Sequence, residues 1–365
     1  MMWLFIFGGF IVLAIISIIF IYRKLRCFGI VKKIAGDSGK KSVLIRLPII
    51  FALIAWCFLD TVTGVISVVH LFFFWLVAEL LGFIVKKISK KDSSIYWQGG
   101  LAILVTVAYL SAGWYFAHHV YETDYELHTD KELSKGSIRA AVIGDSHVGS
   151  TFDGDGFAGY MKEIEKASPD VLVIVGDYVD DDTSKDDMEK SCRALGELKT
   201  KYGIYYVYGN HDRGYYNSRG FSAEELEAEL TKNGVKVLKD ETELIADSFY
   251  IVGRKDRSFT ERLPMAELTK ELDPSKYMIV LDHQPHDFEA EKNAGADLVL
   301  CGHTHGGQMF PIGITGELSG ANEMTYGLRT DGNTNYIVTS GISDWAIPYK
   351  TATISEYVII DIKNH

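Results

Sequence analysis

The chain has 365 residues, enough for two domains at ~150 residues each. Its net charge of −11 conceals a division: residues 1–120 hold 12 Lys and Arg against 4 Asp and Glu, whereas residues 121–365 hold 25 against 44. So acidic a second part argues against a nucleic-acid partner, which needs clustered Lys and Arg. Four cysteines without a CxxC pair likewise argue against thiolate zinc sites and a disulfide framework.

The first element is an apolar run from Trp3 to Tyr22, long enough to cross a ~30 Å hydrocarbon core. A signal peptide carries its positive charge ahead of its apolar run. Here Arg23, Lys24 and Arg26 follow it, which predicts a retained helix with its N-terminus outside. The apolar stretch from about Leu47 to Val85 suits two crossings that turn near Thr61-Val62-Thr63-Gly64. A fourth runs from about Gly100 to Val120, with Trp114 and Tyr115 as interfacial aromatics near its outer end. The two longer connecting loops are basic. One carries Arg23, Lys24, Arg26, Lys32, Lys33, Lys40, Lys41 and Arg46, the other Lys86, Lys87, Lys90 and Lys91. Positive loops stay in the cytoplasm. The expectation is a multi-pass cell-membrane protein, with a transmembrane domain of about four helices over 1–120 and everything after it extracytoplasmic. Asp60 and His70 are expected at the outer interface, and Glu79 against neighbouring helices.

Residues 121–137 are polar and acidic and read as a linker to a catalytic domain over 138–365. From there, short apolar runs alternate with helical patterns. Strands are predicted over Ile138–Ile143, Val171–Val175, Ile204–Tyr208, Phe249–Val252, Met278–Leu281, Leu298–Leu300, Tyr336–Val338 and Tyr357–Ile362. Helices are predicted over Gly156–Lys166, Ser184–Lys201, Ser222–Asn233, Pro264–Leu272 and His286–Ala294. This alternation predicts an α/β or α+β domain in which helices cover sheets.

Several strands end in a Gly beside charged or metal-binding residues: Gly144-Asp145-Ser146-His147, Gly176-Asp177, Gly209-Asn210-His211-Asp212 and Gly302-His303-Thr304-His305, with His283 after another strand. Sites in layered α/β folds gather on loops at strand ends, and four such loops can converge on one point. Asp145 and His147 can turn to one side and grip one cation. Asp177 has two oxygens and can bridge two. Asn210 adds a hard neutral oxygen, and His303 and His305 can reach adjacent ions. An oxygen and imidazole set without thiolate suits Mn, Fe or Zn. A bridged pair of divalent or mixed-valence ions makes hydroxide available near neutral pH and clamps an in-line displacement, for which anionic phosphate esters are the natural substrate.

In this order the motifs resemble the calcineurin-like metallophosphoesterase superfamily, over roughly Ile138 to Ile362. The apolar helices and the Gly306-Gly307-Gln308 ending are similar to its membrane-associated bacterial branch. The resemblance implies a metal-dependent phosphoric ester hydrolase with a two-sheet β-sandwich flanked by helices, a four-layer αββα arrangement. It implies one metal on Asp145, His147, Asp177 and His305, and a second on Asp177, Asn210, His283 and His303. It also implies catalytic roles for His211, which would protonate the leaving oxygen, and Asp212, which would orient the His211 ring. Protein Ser/Thr phosphatases of the superfamily carry Arg-Gly after the second Asp of the Gly-Asp block, where this chain has Asp181-Asp182. Purple acid phosphatases place a metal-bound Tyr where it has Asp180. Arg213 is a candidate positive charge near the site, Tyr178 is expected to pack, and His283 is preferred to His286 because it directly follows a strand. The expected substrates are phosphoesters, phosphodiesters or pyrophosphates, lipid-linked or of the cell envelope. A UDP-diacylglucosamine-type pyrophosphate, cleaved by some relatives, is one option. The rival expectation is a non-catalytic membrane sensor that binds a phosphorylated ligand.

Overall fold

A computed structural model describes residues 2–91, 93, 95–216 and 218–365, in two compact units, 1–113 and 114–365. The first unit is helical: α1 (Met2–Leu25), the short α2 (Gly29–Ala35), α3 (Gly39–Leu59), α4 (Thr61–Ser89) and most of α5 (Gln98–His118). Within α1, α3, α4 and α5 lie four segments long and apolar enough to cross a membrane. Ile21, Leu25, Ile50, Val68, Trp75 and Ala102 pack among them. The break between α3 and α4 falls beside the predicted turn because Asp60 caps α4, its carboxylate accepting the Thr63 amide at 3.0 Å. Glu79 pairs with Lys24 at 2.8 Å and accepts a hydrogen bond from the Tyr96 hydroxyl, so its charge is matched between elements. α3 begins at Gly39, well before the hydropathic edge at Leu47. Its basic first turns remain helical, and Arg46 donates from Nη1 to the Tyr22 carbonyl at 3.0 Å.

The second unit holds β1 (Val120–Thr129), β2 (Ser137–Ile143), α6 (Gly154–Lys166), β3 (Val171–Val175), α7 (Lys185–Glu197), β4 (Ile204–Val207), α8 (Ala223–Lys232), β5 (Val235–Leu238), β6 (Glu241–Ile245), β7 (Phe249–Gly253), α9 (Met265–Thr269), β8 (Tyr277–Leu281), α10 (Phe288–Asn293), β9 (Leu298–Cys301), α11 (Ile312–Leu318), β10 (Gly327–Asp331), β11 (Thr334–Val338) and β12 (Ser355–Asn364). One six-stranded sheet has the order β1-β12-β2-β3-β4-β5, the other β10-β11-β9-β8-β7-β6. Side chains such as Val173, Val207, Phe249, Ile279 and Leu300 fill the space between the sheets. Phe157, Met188, Leu195 and Leu226 seal α6, α7 and α8 onto the outer face of the first sheet, and Met265 and Phe288 seal α9 and α10 onto the second. The result is the expected αββα sandwich. The parallel strands of its centre are apolar on both faces, as in the Val-Leu-Val-Ile-Val of β3.

The predicted linker over 121–137 is corrected by this structure. Its first part is β1, ten residues paired parallel with β12 from Val120 opposite Ser355 to Thr129 opposite Asn364. Tyr121, Thr123, Tyr125 and Leu127 turn inward while Glu122, Asp124 and Glu126 face solvent. The acidic residues that suggested a linker belong to the exposed face of an edge strand, where charge discourages pairing with other chains.

Candidate metal centre

The C-terminal ends of β2, β3 and β4 from one sheet and of β8 and β9 from the other meet along one edge of the sandwich. The loops they launch hold an unusual backbone. Asp145 (φ 50°), His147 (36°), Asp177 (49°), His303 (71°) and His305 (48°) all occupy the left-handed region. Such conformations cost about 1–3 kcal/mol each and persist only where the surroundings fix them. Here the loops fix one another. The Asp145 amide donates to the Gly176 carbonyl at 3.0 Å and the His147 amide to the Asp177 carbonyl at 3.1 Å. The His303 amide donates to the Asp145 carboxylate at 2.9 Å. Gly176 (φ 85°) has no room for a side chain, because a Cβ there would lie 2.6 Å from His283 Nδ1.

Two groups of ligand atoms result, Asp145 with His147 and His305, and Asp177 with His283 and His303, each with its members within 4.8 Å of one another. Asp177 joins them. Its Oδ2 lies 3.1 Å from His283 Nε2 and 3.9 Å from His147 Nε2, and its Oδ1 accepts the His211 amide at 2.8 Å. Asn210 turns its Oδ1 to within 3.2 Å of His283 Nε2, while its Nδ2 donates to the Tyr215 hydroxyl at 2.9 Å. The His283 Nδ1 donates to the Val175 carbonyl at 2.8 Å, which leaves Nε2 to face Asp177. His147 is aimed likewise: its Nδ1 lies 3.2 Å from Asp180 Oδ2, and its buried Nε2 has no hydrogen-bond partner. His305 Nδ1 is also buried without a partner. Buried polar atoms are almost always satisfied, so the unpartnered His147 Nε2, which faces Asp177 Oδ2, fits a cation, as does His305 Nε2, 3.8 Å from Asp145 Oδ1, and the donor set fits hard or borderline metals. A second residue holding the far nitrogen of each ring is the usual support of a metal-binding His.

The electrostatics follow from burial and crowding. Desolvation raises the Asp145 carboxyl to about 6, although His283 and His147 pull it down. Burial also opposes the charge on Asp177, yet His283 and His147 outweigh it and hold this carboxyl well below the usual carboxylate range. Burial and the neighbouring His283 drive His303 down to about 4. Burial and His147 push His305 far below its ordinary value. Burial opposes charge on His283 and His147 as well, yet Asp177 raises His283 well above its ordinary value, and Asp180 and Asp177 raise His147, so these two rings must give up a proton to bind metal, whereas His303 and His305 are already neutral.

His211 and Asp212 occupy the site differently from each other. The His211 ring stands at its mouth, 5.2 Å from the His147 ring, 5.1 Å from Tyr215 and 4.7 Å from Trp345. The expected role of Asp212 in orienting that ring is corrected. Its buried carboxylate accepts the backbone amides of Asp177, Tyr178, Val179 and Gly209 at 2.6–3.1 Å, so it ties the loop after β3 to the loop after β4. His286 lies outside both ligand groups. Tyr178 packs in the core against Phe157, as expected. Arg213 lies over the Phe259 ring at 4.6 Å. The residues after the Gly-Asp block have their own duties: Asp180 supports His147, and the Asp181 carboxylate accepts the amides of Tyr215 and Tyr216. Sequence reasoning noted Asp180 only as a departure, although three residues after Asp177 is close enough to suspect. Trp345 follows the last motif by 40 residues, and no spacing signals it.

Comparison with known proteins agrees with this geometry. The model of the calcineurin-like phosphoesterase family matches residues 138–307. An uncharacterized metallophosphoesterase of Aquifex aeolicus is 32% identical over 249 residues, covering 66% of this chain and 90% of that protein. The chain belongs to the calcineurin-like metallophosphoesterases. An uncharacterized metallophosphoesterase of Helicobacter pylori is 32% identical, with 62% of this chain and 59% of that protein covered. A transmembrane protein with metallophosphoesterase domain from Danio rerio is 29% identical, with 66% and 56% covered. The match thus spans less than two thirds of these last two relatives. Metallophosphoesterases are metal-dependent phosphoester hydrolases, and relatives with transmembrane segments accord with the four apolar helices here.

Proposed function

We propose that this metallophosphoesterase is a multi-pass membrane protein that hydrolyses a phosphoester, phosphodiester or pyrophosphate outside the cytoplasm, on a lipid-linked or envelope substrate. The observation that carries the chemistry is Asp177, whose carboxylate faces both ligand groups at once. In this reading Asp145, His147, Asp177 and His305 hold one divalent cation, and Asp177, Asn210, His283 and His303 the other. When bound, Mn, Fe or Zn supplies Lewis-acid activation of water and neutralises charge on the phosphoryl group. The protein's own work is positioning. Asp180 and the Val175 carbonyl fix two imidazole rings, Asp212 locks the loops together, and His211 stands where it can protonate a leaving oxygen.

The helical unit, with residues 1–113 and the body of α5, anchors the domain. The outward orientation is supported by the basic residues that flank α1, α3 and α4, which favour the cytoplasmic side. The test uses the purified full chain, stripped of metal and reloaded with Mn, Fe or Zn, on bis-p-nitrophenyl phosphate and p-nitrophenyl phosphate. Metal-dependent hydrolysis is expected. Two bound metals without turnover on any ester would favour the sensor instead. Fusing alkaline phosphatase or green fluorescent protein to the exposed C-terminal His365 checks the orientation, and a fluorescent fusion without phosphatase activity would reverse it. Asp180→Asn removes the charge behind the His147 ring and should weaken metal affinity roughly 10- to 100-fold. Unchanged affinity by titration calorimetry would leave Asp180 without that role.

A further inference from the structure

The register of the first sheet places the last turn of α5, which belongs to the catalytic unit, at that unit's β1–β12 edge. β1 pairs with β12 with Val120 opposite Ser355, and β12 pairs antiparallel with β2 with Val358 opposite Val142. Beyond that ladder the loop after β11 enters between the two strands, where the Ile342 amide donates to the Gly144 carbonyl at 3.0 Å and the Glu356 amide to the Gly341 carbonyl at 2.9 Å. The start of β12, opposite Val120, is thus joined through Gly341 and Ile342 to Gly144, which precedes the candidate metal ligand Asp145. Helix α5 ends at His118 and β1 opens at Val120, with only His119 between them. The last turn of α5 belongs to the catalytic unit and is fastened to it, because Ser355 Oγ donates to the Ala117 carbonyl at 2.7 Å. Trp114 stacks on His118 and Tyr115 on His119, and both Trp114 and Tyr115 are exposed. Amphipathic rings at a helix end of this kind mark the boundary between membrane and water.

The same edge carries exposed apolar side chains: Tyr215, Tyr216 and Trp345 around the site, and Phe310 (60% exposed), Ile314 (52%) and Leu318 (81%) on and before α11. Helices α6, α7 and α8, which cover the outer face of the first sheet, contribute none. α11 is tied to the site, since Thr304 Oγ1 donates to the Thr325 carbonyl at 2.6 Å and Thr325 Oγ1 to the Gly313 carbonyl at 3.1 Å. Gln308 continues the chain of contacts, donating from Nε2 to the Trp345 carbonyl at 3.1 Å and accepting the Thr351 amide at 2.8 Å. The loop between β11 and β12, which ends at Ser355, thus carries Trp345 over the site and holds Gln308, which precedes α11.

We propose that this edge rests on the lipid bilayer, with α11 dipping into the headgroup layer and the metal centre opening at the membrane surface. The occupant of the exposed apolar face is lipid, because the face is continuous with the aromatic collar at the end of a membrane-crossing helix. A phosphoester borne by a lipid then reaches the site without leaving the bilayer. This consequence rests on the hydrolytic reading above, whereas the seating itself does not.

The test reconstitutes the full chain into vesicles of phosphatidylcholine and phosphatidylglycerol. An environment-sensitive fluorophore is attached at Ile314→Cys or Leu318→Cys, in a chain with Cys27→Ser and Cys57→Ser. The remaining Cys192 and Cys301 are buried. Lipids carrying a nitroxide near the headgroup should quench either label several-fold more than a label at Lys232→Cys on α8. Hydrolysis of p-nitrophenyl phosphate by each labelled chain shows that it is folded. Equal quenching at all three positions overturns the seating. A label at Leu318→Cys that is shielded from water yet unquenched by lipid also overturns it, since a protein would then cover the face. Absence of hydrolysis of both p-nitrophenyl phosphate and bis-p-nitrophenyl phosphate by the unsubstituted metal-loaded chain sinks the hydrolytic reading and leaves the quenching result standing.

Discussion

Asp177→Asn should abolish hydrolysis, by at least about 10³-fold, and lower the bound metal from about two per chain to one or fewer. The side chain is nearly isosteric, so the change isolates charge. One oxygen remains to accept the His211 amide, which now comes to Asp177 Oδ1 at 2.8 Å. The other position, where Oδ2 faces His283 and His147 at 3.1 and 3.9 Å, becomes an NH₂ group. That NH₂ would point donors, in place of an anionic oxygen, at the space that both groups of candidate ligands face. Two buried ligand groups then lose the one carboxylate they share. Elemental analysis gives the metal content, turnover of p-nitrophenyl phosphate gives the rate, and circular dichroism verifies the fold. A variant that keeps both full metal content and full rate would sink the bridging assignment. The magnitude separates this change from Asp180→Asn, which alters a group behind one ligand and leaves every ligand atom in place.

The site was more legible in the sequence than parts of the fold, and the reason is physical. The candidate ligands lie on the loops that follow apolar strands, such as Val171–Val175 or Leu298–Cys301, buried along their length. Composition identifies such strands, and the residues at their ends inherit their positions. β1 offered no such run. It is an edge strand whose partner β12 lies more than 200 residues later, and it alternates half-buried Tyr and Thr and a buried Leu with exposed acids. A pairing made that far along the chain leaves no local trace. β10 is similar, exposed over most of its length in Gly327–Asp331. The start of α3 was missed for the opposite reason: a helix need not end where its hydropathy does, and Lys40, Lys41 and Arg46 continue it. Asp212 was identified as a site residue from its motif, but its work is to collect backbone amides, which no side-chain pattern encodes. Trp345 arrives on the loop between β11 and β12, and only the fold brings it to His211.

His211→Ala should keep both metals and slow turnover by roughly 10²- to 10⁴-fold on substrates with poor leaving groups, the usual cost of losing a general acid. The prediction is unusually clean here because the link between His211 and Asp177 runs through the backbone amide, which alanine retains. The ring itself makes contacts at the mouth of the site, with Trp345 at 4.7 Å and Tyr215 at 5.1 Å, so its removal opens space without disturbing a candidate ligand. Metal content by elemental analysis should therefore match the unsubstituted chain. The decisive readout is a series of esters with leaving groups of different basicity. A p-nitrophenolate departs without a proton, so the defect should shrink along the series toward it, while alkoxide leaving groups should show the full loss. Equal loss on every ester would mean that the ring binds the phosphoryl group in ground and transition state alike. That outcome would leave the two ligand groups and Asp177 as they are, and would pass the search for a proton donor to Tyr215, whose hydroxyl already accepts from Asn210 at 2.9 Å beside the same opening.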